Sequence, residues 1–492
     1  MMLRRWGTLL GCLTLFGLAA AAPATAHGFG QRYDLPIPLA LYIWGAGATV
    51  ALSFVGFGLF LRAEHGLLDR HIDWHAEGRL IPALAVVPRA LGTGVLLLVI
   101  FAGLFGNQDP IRNIAPVMVW IIAWVGLAFL SVLLGDIWKL LNPWNAIFAL
   151  AEVCCRRGRA DVRLAFWRRY PESLAAWPAV LLLVAFAWME LVWSGRNDPA
   201  ALAVALAAYS ALTFFGMALF GREKWLAQGE VFTLVFGTFA RFGPLAAIRQ
   251  SPGIRVRMPL AGLLSEEPAT FSMVALVVAL LATVTFDGLL ETPLWARIDV
   301  AILDWASEPT FGSVPILRED QMVRLARSAG LVLCILLFLA AYTVVCRLAA
   351  AVAGKRAAAR TGLVLRRFVL TLVPIAIAYH VAHYFSLFFL GGQYVVPLLS
   401  DPLGRGWNLF GTAQYQIDIG LVTPRLQWIV AVVAVVLGHV CAIYLSHVTA
   451  LRFFADRRAA LRSQFPMVAL MVAYTMLSLW ILSQPIVETG LR

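Results

Sequence analysis

The sequence predicts an all-α protein: a polytopic transmembrane helical bundle with about ten spans after a cleavable signal peptide. Three observations predict it. Of 492 residues, 61% are hydrophobic and 13% charged, about half the charged share of an average soluble domain. The apolar residues fall in runs of about 20, the length that crosses a bilayer core. The basic residues gather in alternate connecting segments.

The first element is the leader, "MMLRRWGTLLGCLTLFGLAAAAPATA", residues 1–26. Arg4 and Arg5 form a basic start, an apolar stretch follows, and Ala24-Thr25-Ala26 is a small-residue cleavage site. "LLGC", ending at Cys12, has the form of a lipoprotein signal, but the apolar run before it is short. Residues 27–492 then read as a single integral membrane domain. Its spans lie near 38–61, 88–105, 114–134, 174–193, 200–220, 270–287, 328–346, 368–390, 426–446 and 466–483. Pro82 and Pro88 blur the start of the second.

Charge orients the bundle. With the mature N-terminus outside, the inside segments 62–89, 135–173, 221–268, 347–367 and 447–465 hold 27 of the 39 Lys and Arg. An even number of spans returns the C-terminus to the same side as the mature N-terminus. This is the pattern of a bacterial inner-membrane protein with both ends periplasmic. The net charge of +12 is spread over these loops and is not gathered on one soluble face, which argues against a nucleic-acid partner. Membrane lipid is the expected surrounding. The six cysteines avoid the outside loops and imply no disulfide framework. No phosphate-binding glycine loop, CxxC, HExxH or GxSxG motif occurs.

Three connecting segments are long. The inside segment 221–268 carries "GEVFTLVFGTFARFGP", read as an interfacial or re-entrant helix. The outside segment 288–327 is acidic and reads as a small cap; the outside segment 391–424 is rich in Gly and aromatics. "GDIWKLLNPWNAIF" follows the third span, with Trp138 and Trp144 as expected interface anchors and Asn142-Pro143 as a turn.

Candidate chemistry centres on "AYHVAHYF", residues 378–385, inside the eighth span. His380 and His383 share a helix face at i, i+3 spacing. His380 lies roughly 18 Å into its span, and His439 in the ninth span roughly 20 Å into its own. Ionisable groups at that depth are costly and usually face a partner in the bundle interior. Three imidazoles at matching depth suit a divalent metal of the Zn, Cu, Fe or Ni kind. A haem is the alternative. The plain reading is that each imidazole bonds a neighbouring helix. His447, two turns below His439, reads as an interface residue. Glu190, Asp287, Asp401 and Asp418 are candidate general bases or further ligands, each with an ordinary helix end or solvated loop as its bland reading. Gln414 is a further polar candidate in the outer loop. His27, as a new N-terminus, offers a two-nitrogen copper set; its bland reading is the lead-in to the first span. His65, His71 and His75 read as part of a solvated amphipathic surface helix.

The stretches "AHGFGQRYDLPIPLALYIWGAGATVALSFV", "GDIWKLLNPWNAI" and "YHVAHYFSLFFLGGQ" resemble a bacterial membrane-protein family labelled fenitrothion hydrolase. The resemblance implies an integral membrane hydrolase of an organophosphorus triester, an apolar small-molecule substrate. It supplies no catalytic residues to transfer. A metal-assisted hydrolysis, with His380, His383 and His439 as ligands and a carboxylate such as Asp401 or Asp418 as base or further ligand, is the corresponding expectation. A membrane transporter, or a metal-handling or haem-binding redox protein, is the alternative use of the same histidines.

Overall fold

Phe271–Leu290 is apolar on all sides, and a helix of that kind belongs inside a bundle. In the computed structural model it is the most enclosed long helix, with 78% of its central window buried. The structure describes residues 37–60, 67–75, 86–155, 169–248, 253–265, 267–307, 318–454 and 456–484. The leader, His27 and His65 lie outside them. The described residues fall in one unit, Leu35–Arg492.

Among them, nine helices are long and apolar enough to cross a membrane by length and composition, and they fit a multi-pass membrane protein. They are α1 (Leu39–Phe60), α2 (Val86–Phe105), α3 (Ile114–Leu133), α7 (Pro199–Phe220), α10 (Phe271–Leu290), α12 (Glu319–Ala353), α13 (Thr361–Ser400), α14 (Pro424–Phe453) and α15 (Arg457–Leu482). The expected span 174–193 appears as a shorter apolar helix, α6 (Trp177–Leu191). Shorter helices include α4 (Trp138–Leu141), α5 (Pro143–Cys155), α8 (Arg222–Gln228), α9 (Val231–Ala240) and α11 (Pro293–Ser307).

The helix starts follow from local chemistry. Asp198, Thr270, Thr423 and Asp456 each accept a hydrogen bond from an otherwise orphaned first-turn N–H. Pro199 and Pro424 then occupy the first turn, where the missing N–H costs nothing. Buried Asn113 caps α3 and donates back to Ala102 O and Asn107 O, at 2.8 and 2.7 Å, which fixes the turn from α2.

Two long helices are irregular. α3 is π-helical over Val117–Gly126. α13 passes through a 3-10 turn at Val369–Leu372, ahead of Pro374, and a π turn at Leu387–Gly391. Pro374 cannot donate to the preceding turn, which accounts for the first break. The two π segments lie against each other, so a Cβ on Gly126 would stand 3.1 Å from the Phe388 ring.

α10 contacts α6, α12 and α13, while α14 lies between α13 and α15. α13 and α14 approach very closely at Gly438. A Cβ there would stand 2.3 Å from Ala378 Cβ and 2.8 Å from Pro374 O. The expected adjacency of the eighth and ninth spans therefore holds.

A small sheet joins one end of the bundle. Its strands β1 (His71–His75), β2 (Leu245–Ala247) and β3 (Gly253–Arg257) are antiparallel in the order β1-β3-β2. His71 and His75 thus lie on a strand, where a surface helix was expected. Pairing with Arg257 and Gly253 sets their conformation in place of the i+4 spacing. Trp138 and Trp144, expected at the membrane interface, are buried. Trp144 Nε1 donates to Ser210 Oγ at 2.8 Å, and Trp138 Nε1 reaches Glu230 Oε2 at 3.4 Å.

Candidate functional site

The site is built from three elements. Glu190 lies in the last turn of α6, Asp287 in the last turn of α10, and the middle of α13 supplies His383 and Tyr384. Their side chains meet. His383 Nε2 lies 2.8 Å from Asp287 Oδ2. Tyr384 Oη lies 2.8 Å from the same oxygen and 3.0 Å from Glu190 Oε1. Asp287 and His383 side chains keep 17% and 10% of their exposure, so the pair is enclosed but not sealed. Arg196 donates to the Glu190 carbonyl at 2.9 Å, and Trp120 Nε1 holds the Arg196 carbonyl at 2.8 Å, anchoring this turn to α3.

Donor counting defines the chemistry. A phenol has one proton, and an ionised carboxylate only accepts. Tyr384 satisfies Asp287 and Glu190 together only when one carboxylate brings a proton of its own. The contacts thus give a continuous path for a proton along Glu190, Tyr384, Asp287 and His383. Such a set can give up and take back a proton without placing a bare charge in an apolar interior.

The other imidazoles face elsewhere. His380 is enclosed by aromatic rings: Trp124, Phe129, Phe239 and Tyr384, with centroids at 5.6, 5.8, 5.9 and 4.7 Å. Its Nε2 is buried without a hydrogen-bond partner. His439 bonds Val435 O through Nδ1 at 2.8 Å and faces Tyr474 at 5.7 Å. His447, expected at the membrane interface, is fully buried, with Nδ1 3.0 Å from Gln464 Oε1.

The three imidazoles each meet different partners: His383 meets Asp287, His439 meets Val435 O, and His380 meets aromatic rings. Among the described residues no group of three or more His, Cys, Asp or Glu is placed to hold a metal ion. In this arrangement His383 is engaged by Asp287 and His439 by the Val435 carbonyl. Equal depth fixes height along the helices and leaves open the direction in which each ring turns.

Of the four candidate carboxylates, Glu190 and Asp287 are brought together. Asp401 accepts from Arg405 N and Gly406 N, at 2.8 and 2.6 Å, and shapes its own loop. Asp418 accepts from Gly420 N at 2.9 Å, and Gln393 clasps its backbone.

Two groups escaped the sequence reading. Tyr384 stands next to His383 in the sequence, but a single tyrosine inside an apolar span carries no spacing signal of its own. Glu230 is fully buried at the start of α9. It accepts from Phe232 N at 3.0 Å and Thr233 N at 2.8 Å, and also meets the hydroxyls of Tyr209 and Thr233. With Trp138 and Asn142 near it, Glu230 clamps α9 to α4 and α7. Its signal was the N-cap position ahead of an apolar helix.

Comparison with known proteins finds no matching family model, no matching curated protein and no matching solved structure.

Proposed function

We propose that this chain is a membrane-embedded hydrolase that uses Asp287, His383, Tyr384 and Glu190 as its acid–base set, with an apolar organophosphorus ester as substrate. The meeting of two carboxylates and an imidazole around one phenol carries the reading. The family resemblance supplies the substrate class. In this reaction water adds to phosphorus and the bond from phosphorus to the leaving oxygen breaks. The His383–Asp287 pair takes the proton from the attacking water. Glu190, through Tyr384, returns one to the leaving oxygen. The products are a phosphodiester and an alcohol or phenol, and no step is assigned to a metal or haem. General acid–base groups of this kind are worth about 10²–10⁴ in rate.

The test is turnover of a neutral nitrophenyl phosphotriester by purified protein in detergent. Asp287→Asn and His383→Gln are each expected to lower kcat by about 10²-fold or more. Unchanged turnover in both variants would overturn the assignment. Elemental analysis and an optical spectrum of the same sample check the metal and haem readings directly.

The second reading is a proton-coupled transporter. It is favoured by the opposed π-helical segments of α3 and α13, since π turns and broken helices recur at functional sites and transport pathways. Substrate accumulation in proteoliposomes without ester turnover would select it.

A further inference from the structure

The sheet at the end of the bundle is built inside out. Along β1 and β3 the register pairs Ile72 with Val256 and Trp74 with Ile254. Side chains alternate across a strand, so these four share one face. That face is open: Ile72 is 64% exposed, Trp74 71%, Ile254 47% and Val256 36%. The opposite face carries Asp73, Arg255 and Arg257, all partly covered, with the exposed His71 and His75 at its ends.

The inward charges have partners. Arg255 grips Asp73 in a two-pronged ion pair, with both contacts at 2.7 Å. Arg257 donates to Ala240 O, Arg241 O and Gly243 O at 3.1 to 3.2 Å, capping the carbonyl end of α9. A sheet bordered by water presents the reverse pattern, with polar side chains outward.

We propose that the Ile72, Trp74, Ile254 and Val256 face lies in the headgroup–acyl boundary of the membrane that the nine long helices cross. Continuity with those helices identifies the occupant. The sheet joins the bundle through Gly135, two residues beyond α3, which bridges to Leu245. The turn before β1 is tied to the end of α14 by Arg452 and Asp69 at 2.8 Å. An apolar patch anchored at the ends of membrane-crossing helices meets the same bilayer surface that they do.

The chemistry of the patch agrees. A tryptophan flanked by aliphatic residues belongs at the level of the headgroups. The connecting segments at this end are the Lys- and Arg-rich ones, which suits anionic lipid. The sheet stays in the hydrated part of the boundary and avoids the hydrocarbon centre.

Nitroxide labels test the placement. The full-length protein, with its native cysteines replaced by serine, is reconstituted into phosphatidylcholine–phosphatidylglycerol bilayers. Single cysteines at Ile72, Trp74, Ile254 and Val256 carry the label, and Arg405 serves as a loop control. The expected result is loss of collisions with a water-soluble nickel chelate at the four positions, with collisions with oxygen retained. Positions His71 and His75 should collide with the chelate more often than 72 and 74. Chelate collisions at 72 and 74 equal to those at 405 would overturn the proposal. So would shielding from chelate and oxygen alike, which would mean a protein partner or a second copy. Brominated-lipid quenching of a fluorophore at position 254 is a second readout, should a label at 74 perturb the strand. No quenching there would count equally against the proposal.

Discussion

At the scale of single residues, Tyr384 links the two acids. Its hydroxyl touches Asp287 and Glu190, and its neighbour His383 touches Asp287. Tyr384→Phe removes one oxygen and leaves the ring contacts with His380 and His383 in place. In the hydrolase reading it should slow turnover by about 10-fold to 10²-fold with little change in KM, which steady-state kinetics will show. Glu230 makes a contrasting case. Its donors are backbone amides and buried hydroxyls, so Glu230→Ala strands several of them at once. The expected cost is several kcal/mol, at about 1–3 kcal/mol for each buried group left unpaired, read as a lower Tm in detergent. Loss of stability at Glu230 and loss of turnover at Asp287 would separate a structural carboxylate from a reactive one.

At the scale of elements, close packing and ion pairs decide how the site is held. α13 and α14 touch through Gly438, and a methyl group there must push on Ala378 and the Pro374 carbonyl. Gly438→Ala should therefore cost about 1–3 kcal/mol by overpacking, seen as a reduced Tm. α11 is fastened to α12 by Arg327 and Asp299, 2.7 Å apart and both largely buried. Removing the arginine leaves a buried carboxylate uncompensated. Arg327→Ala should destabilise by about 3–5 kcal/mol, while Arg327→Ala with Asp299→Ala should recover part of the loss. The sheet responds to acid. Arg255 bonds Asp73 and holds its carboxyl below the ordinary value. A depressed folded-state pKa gives stability that is present above the unfolded value and is lost as pH falls through the folded one. Amide protection across β1 should thus fall on the acid side of the normal carboxylate range, and Asp73→Asn should abolish that transition in hydrogen exchange.

At the scale of the whole molecule, the bundle was legible in the sequence because a bilayer imposes length and apolarity together. The ends were less so. The 328–346 run became the 35-residue α12, since backbone bonds continue through the polar turns of Glu319–Arg327. Of the site, Glu190, Asp287 and His383 were among the candidates, while their union through Tyr384 depended on side-chain direction, which spacing does not encode. The alternation of ends was encoded, in charge. The fold reproduces it: segments expected on one side touch one another. On the inside set, Gly135 bridges Leu245 and Asp69 pairs with Arg452. On the outside set, Asn107 N donates to Leu403 O at 2.8 Å and Arg405 reaches Phe105 O at 3.1 Å. The Lys and Arg bias of the sequence predicts that the first set faces the cytoplasm. A membrane-impermeant maleimide applied to intact cells should therefore label a cysteine at Arg405 and spare one at Lys355, and the spared site should react once the cells are opened. Labelling of Lys355→Cys in intact cells would reverse the orientation. It would also reverse the side of the membrane expected for the loop that carries Arg405.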